Sequence, residues 1–172
     1  MTGKKTATRT RPSWDEYFLE IAELVGSRGT CDRGRAGTVV TRDKRILTTG
    51  YVGAPVGVKD CDEVGHELHT VINTDGSRTQ HCIRTTHSEQ NAIVQGARVG
   101  VSLVGGTMYT HMMPCYTCAK IIINAGIVRV VAKKDYHGAP QSKEVFRAAG
   151  VLFEIVTNET ESYPNMKADD DV

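Results

Sequence analysis

Between residues 14 and 25, apolar side chains recur at helical intervals: Trp14, Tyr17, Phe18, Ile21, Leu24 and Val25. The spacing predicts a helix with one apolar face against a core. Ser13 stands before it and Glu16 follows three residues later, a capping-box pattern, and Gly26 and Gly29 close it. Residues 37–41 and 45–51 are β-rich and flank the polar Arg42-Asp43-Lys44, which predicts a hairpin. The stretch 53–80 holds Gly53, Pro55, Gly57, Gly65 and Gly76 without a sustained period, and reads as a long loop. Loops of that length in a compact domain are usually functional or tied down. Helices and strands then alternate: helix 87–98 before Gly100, strand 107–111, helix 115–125 behind Pro114, strand 127–132, helix 143–149 before Gly150, strand 152–156. A hairpin followed by such alternation predicts an α/β domain with helices layered on a sheet. The expected organisation is a flexible basic lead over residues 1–10, one domain over 11–156, and a tail over 157–172 that ends acidic.

Composition narrows this picture. The 172 residues suffice for one domain with a sizeable core, and 40% hydrophobic with 24% charged residues is an ordinary soluble balance. A net charge of +1 argues against wrapping duplex nucleic acid. The N-terminal lead has no apolar core of a signal peptide, and no stretch approaches the ~20 apolar residues that cross a bilayer, so a reducing cytoplasm is the expected setting. There, five cysteines point to metal binding or catalysis rather than disulfides.

Two motifs supply the chemistry. His87-Ser88-Glu89 and Pro114-Cys115-Tyr116-Thr117-Cys118 match the H-x-E and P-C-x-x-C pair of zinc nucleobase deaminases. A hydrolytic zinc site takes three protein ligands and leaves one position for water, and His87, Cys115 and Cys118 provide three. Cys115 and Cys118 lie at a helix start, where the helix N-terminus favours thiolate. Glu89 is the expected proton shuttle, since attack of hydroxide on C4 of cytosine requires a proton at N3 and another for departing ammonia. The competing reading is half of a structural zinc site beside a solvated carboxylate. A closed site would have no use for that carboxylate.

Cys31, Cys61 and Cys82 remain. One more ligand would complete a closed Cys3His site able to order the long loop, with His66 the first choice and His69 and His81 as competitors. Three unconnected thiols are the alternative.

The chain resembles the deoxycytidylate deaminases of the cytidine deaminase superfamily, of bacterial, phage and competence-operon type. The likeness is carried by Arg11-Pro12-Ser13-Trp14-Asp15-Glu16-Tyr17-Phe18, Cys31-Asp32-Arg33, Gly50-Tyr51-Val52-Gly53-Ala54-Pro55, Cys61-Asp62-Glu63-Val64-Gly65-His66, His81-Cys82-Ile83-Arg84-Thr85 and Gln90-Asn91-Ala92-Ile93. It implies a three-layer α/β/α fold with a central mixed sheet, a homohexamer, and conversion of dCMP to dUMP. It further implies activation by dCTP with Mg2+, inhibition by dTTP, and two Zn2+ per chain, one catalytic and one structural. Relatives end the Cys-Asp-Glu-Val-Gly stretch with Cys where His66 stands, an exchange that keeps a zinc ligand. They also carry Asn where Val52 stands, so recognition or regulation through Tyr51, Val52 and Gly53 is expected to differ. At Ser88, where relatives carry Ala, the side chain is expected to contribute little beyond backbone.

For the substrate, Arg33 and Arg35 are the expected phosphate cations, Tyr116 and Tyr136 the expected walls for base or sugar, and the resemblance adds Thr38 and Asn91 as hydrogen-bonding partners. Arg98 is a candidate for a subunit interface. Other substrates (dCTP, cytidine, cytosine, adenosine in tRNA) and a non-catalytic zinc module for DNA are the competing functions, and near-neutral charge weakens the tRNA reading.

Overall fold

A computed structural model describes residues 10–72 and 78–161. Helix α1 (Trp14–Gly26) begins as its sequence dictates: Ser13 Oγ accepts from the Glu16 N–H at 3.2 Å, and the Glu16 carboxylate accepts from the Ser13 N–H at 2.7 Å. The buried stripe differs from the expected one. Phe18, Leu19 and Ala22 are buried, while Trp14, Tyr17 and Leu24 are 49%, 43% and 71% exposed. A single helix lying on a sheet buries only a narrow arc, and here Gly26 and Gly37 let the two backbones meet: a Cβ on Gly37 would sit 2.0 Å from the Ala22 carbonyl.

Strands β1 (Gly37–Arg42) and β2 (Arg45–Tyr51) form the expected hairpin. Asp43 and Lys44 both have positive φ (52° and 60°), the two-residue connection whose twist matches the strands. The stretch expected as a long loop contains helix α2 (Cys61–Val64) and a separate two-stranded sheet of β3 (Leu68–Ile72) and β4 (Arg78–Cys82). Every residue of β3 is exposed, so the strand lacks the apolar alternation that would reveal it.

Then follow α3 (Ser88–Val99), β5 (Thr107–Met112), α4 (Tyr116–Asn124), β6 (Arg129–Tyr136), α5 (Pro140–Ala148), β7 (Leu152–Ile155) and β8 (Thr160–Glu161). The main sheet runs β2-β1-β5-β6-β7, antiparallel at β2-β1-β5 and parallel from β5 onward. Residues opposite one another split by face. Val39, Tyr109 and Val131 pack with Phe18, Leu19 and Ala22 of α1; Val40, Met108 and Val130 belong to the larger core with Ala92, Ile122 and Phe146 of α3, α4 and α5. The result is the expected three-layer α/β/α architecture with a mixed sheet. Each fully buried side chain such as Phe146 or Met108 contributes on the order of 2–3 kcal/mol.

The lead expected over residues 1–10 lies, apart from Thr10, outside the described residues. The segment expected to begin a tail is instead docked: Thr157 N–H donates to the Lys133 carbonyl at 2.9 Å, and β8 pairs in parallel with the end of β6. Two residues of strand carry no readable period. Among the described residues, no helix is long and apolar enough to cross a membrane.

Candidate active site

Two helix N-termini bring the first cluster together. His87 is the N-cap of α3, where its N–H donates to Gln90 Oε1 at 3.1 Å. Cys115 is the N-cap of α4, three residues past the end of β5, and Cys118 lies one turn further on the same helix. His87 Nδ1 stands 3.5 Å from Cys115 Sγ and 3.4 Å from Cys118 Sγ. A tetrahedral zinc sphere with its usual bond lengths places nitrogen and sulfur ligands about 3.5 Å apart, so the donor set fits that ion.

Electrostatics agree with a set built for a cation. The Cys118 hydrogen bond, and then the His87 contact, hold the Cys115 thiol down to about 4 against the opposing effect of burial. The same Cys115 pushes His87 up to about 9, while Cys118 is pushed up by its hydrogen bond to Cys115 and by burial. Cys115 is thus the donor most readily held as thiolate, and a bound metal takes the place of protons on the other donors.

Glu89, second residue of α3, is buried, and burial raises its pKa against the pull of His87. Ser88 Oγ donates to Glu89 Oε2 at 3.2 Å and lies 2.9 Å from Thr38 Oγ1, which is 3.3 Å from Thr110 Oγ1. Ser88, expected to contribute mainly backbone, therefore holds the carboxylate. Thr38, expected on a ligand, is fully buried with its hydroxyl turned to Ser88 and Thr110, so it acts on Glu89 through Ser88.

The other expected binding residues separate. Tyr136 is buried at the end of β6, its phenol pushed up to about 12 by burial and by the charges of Cys115 and Glu89. Tyr116, first residue of α4, is 41% exposed with Lys120 Nζ over its ring. Asn91 Nδ2 donates to the Tyr51 carbonyl at 2.7 Å, fastening α3 to β2. Arg35 donates to the Gly29 carbonyl at 2.9 Å and pairs with Asp62 at 3.3 Å, bracing α2 away from the first cluster. Arg33 is buried and donates to the Gln80 carbonyl of β4 at 2.9 Å. Arg98 is exposed in the last turn of α3.

The second cluster assembles Cys31, Cys61, His66 and Cys82, with all donor atoms within 4.8 Å of one another. Cys31 Sγ is 3.7 Å from His66 Nδ1, and Cys61 Sγ is 3.5 Å from Cys82 Sγ. His66 Nε2 meets Asp32 Oδ1 at 2.9 Å, a carboxylate that orients the ring. Neither competitor joins: His69 lies opposite His81 in the β3–β4 register, and His81 Nε2 contacts Thr79 Oγ1 at 2.9 Å. Val52 packs against Cys31 and Cys61, and Gly53 bridges to Thr86. Sequence reasoning missed His137, whose ring stands 4.5 Å from that of Tyr136. A histidine directly after a buried sheet strand was the available signal.

The fold and the paired Cys/His clusters define a zinc-type deaminase domain. Residues 12–134 match the family model described as the cytidine and deoxycytidylate deaminase zinc-binding region. The chain belongs to this family. It is 38% identical to ComE operon protein 2 of Bacillus subtilis over 146 residues, covering 85% of this chain and 72% of that protein. It is 38% identical to the deoxycytidylate deaminase of Mycobacterium phage D29 over 129 residues, covering 73% of this chain and 98% of the relative. Among solved structures, the dCMP deaminase of cyanophage S-TIM5 in complex with dCMP and dUMP superposes with a TM-score of 0.68 at 27% identity, covering 86% of this chain and 99% of that one.

Proposed function

We propose that this chain hydrolyses dCMP to dUMP and ammonia, with zinc held by His87, Cys115 and Cys118 and Glu89 carrying protons. The observation that carries this reading is the difference between the clusters: three protein donors beside a buried carboxylate in one, four donors in the other. Three donors leave a tetrahedral ion one position for water, whereas four close it, which supports a catalytic first site and a structural second one. Relatives named deoxycytidylate deaminases, and the phage structure with dCMP and dUMP, support the substrate.

Zinc bound there supplies a water whose pKa is lowered toward neutrality. Glu89 accepts a proton from the attacking water and gives it to N3 as oxygen bonds to C4. It then takes the remaining proton from that oxygen to the amino nitrogen as the C4–N bond breaks and ammonia leaves. Its burial suits both directions of transfer, because a carboxyl with a raised pKa retains the proton it has just taken. Ser88 fixes one carboxylate oxygen, and Thr38 supports Ser88. Tyr116, next to Cys115, and Tyr136, whose phenol feels the charges of Cys115 and Glu89, are the proposed walls for base or sugar.

Glu89→Gln keeps the volume and removes the shuttle. We expect two zinc ions per chain by elemental analysis and a fall in kcat of about a thousandfold. A Gln variant within tenfold of wild type would overturn the role of Glu89, and ammonia release from cytidine but not dCMP would overturn the substrate. The resemblance extends the proposal to a hexamer controlled by dCTP with Mg2+ and by dTTP. Assays with and without each nucleotide test that control.

A further inference from the structure

The four donors of the second cluster are not equivalent. A thiolate binds a metal through its only polar atom, whereas an imidazole has a second nitrogen whose N–H must be met before the ring holds one orientation. His66 turns Nδ1 toward Cys31 Sγ, 3.7 Å away, and Nε2 toward Asp32 Oδ1 at 2.9 Å. The ring therefore lies between the cluster and a carboxylate.

That carboxylate is placed by the chain around Cys31. The Gly34 N–H donates to the Cys31 carbonyl at 3.4 Å, closing a turn with Asp32 and Arg33 at its centre. Arg33 is buried and holds the turn to β4 through the Gln80 carbonyl, two residues before Cys82. Asp32 is directed outward, its side chain 68% exposed, and meets the ring that follows α2. Consecutive residues thus supply a donor in Cys31, the partner of another donor in Asp32, and in Arg33 a tie to the strand that ends in a third. Nearby carboxylates have other partners: Asp62 pairs with Arg35, Glu63 accepts from the Asp60 N–H, and Glu67 pairs with Arg84.

We propose that Asp32 is a positioning residue of the second cluster: by accepting from Nε2–H it fixes His66 as an Nδ1 ligand and thereby sets how tightly the cluster holds its metal. This rests on the reading that the cluster binds zinc. The dependence is conditional, because Asp32 acts through the ring. With a thiolate in place of the imidazole, the carboxylate has nothing to orient. Its exposure puts its contribution at the lower end of what such partners give, about tenfold in affinity.

The test is the zinc dissociation constant of the second cluster, measured on the full chain by competition with a chromophoric chelator. Wild type is compared with Asp32→Ala and Asp32→Asn, and His66→Cys with the double variant His66→Cys, Asp32→Ala. We expect Asp32→Ala to weaken the second zinc about tenfold with the first unchanged, and Asp32→Asn, which keeps an acceptor oxygen without the charge, to weaken it less. In the His66→Cys background, Asp32→Ala should change affinity by less than about twofold. Unchanged affinity in Asp32→Ala, or the same loss in both backgrounds, would overturn the proposal, the latter by assigning Asp32 to the turn alone. Should His66→Cys fail to fold, the nitrogen NMR signals of His66 in the zinc-loaded wild type decide: a metal-bound Nδ1 with a protonated Nε2 supports the role, and metal on Nε2 overturns it. One zinc per chain in folded wild type would overturn the second metal site itself, whereas two zinc ions with no effect of Asp32→Ala would overturn only the positioning role.

Discussion

At Gly50 there is no room for a methyl group. A Cβ there would lie 2.3 Å from the Ser88 carbonyl and 2.4 Å from the Ala92 nitrogen, both backbone atoms of α3. The helix that carries His87 at its cap and Glu89 in its first turn can thus lie directly on β2. Gly50→Ala must push the helix away, and we expect a loss of about 3 kcal/mol, read as a lower thermal midpoint, together with reduced activity. A variant as stable and active as wild type would show that α3 can shift freely. At this scale the sequence was most legible where chemistry limits the choice: His87, Glu89, Cys115 and Cys118 stand in a spacing with few other uses. It was least legible where a residue's task depends on its neighbours. Ser88 and Thr38 are ordinary hydroxyl residues until the fold stacks them behind a buried carboxylate.

Among the described residues, the β3–β4 pair is tied to the rest by Cys82 in the second cluster and by the Arg33 contact to the Gln80 carbonyl. A two-stranded hairpin alone is marginal in water. Metal in the second cluster should therefore supply much of its order. Cys61→Ser should lower zinc to one per chain and raise amide exchange across residues 68–72 and 78–82 by about tenfold or more, with β5 and β6 unchanged. Exchange that rises throughout the molecule, or nowhere, would reject the local role. The same independence explains why this element was hidden in the sequence: an exposed strand needs no apolar face, and its partner buries a threonine and half-buries a cysteine rather than an apolar stripe. Helix α2 was hidden for a related reason, since a four-residue helix shows no period, although Asp60 and Glu63 cap it reciprocally at 3.1 and 3.0 Å.

At the scale of the whole molecule, an ionic group ties α1 to the sheet. Arg129 of β6 grips both oxygens of Asp15 of α1 at 2.9 and 2.8 Å, reaches Glu154 of β7, and shares Asp15 with the Tyr109 hydroxyl of β5. The Arg129 hydrogen bonds, outweighing partial burial, hold Asp15 below its usual 3.8. A carboxylate whose folded value is depressed stabilises fully above its unfolded value and ceases to do so as pH falls through the folded one. Asp15→Asn should therefore cost about 1 kcal/mol at pH 7, allowing for its exposure, and the gap to wild type should close below about pH 4 in urea titrations. A gap independent of pH would assign the effect to packing. The layers themselves were legible from periodicity, but this link was not, because its members are far apart in the chain. Strand β4 shows what such long-range construction demands of the sequence. With Cys82 facing the second cluster and His81 the other side of the strand, inserting or deleting a single residue within β4 would exchange their directions and take the Cys82 sulfur out of the cluster. Two neighbouring residues thus hold each other's register, so β4 accepts no single-residue change in length without the second cluster losing a donor.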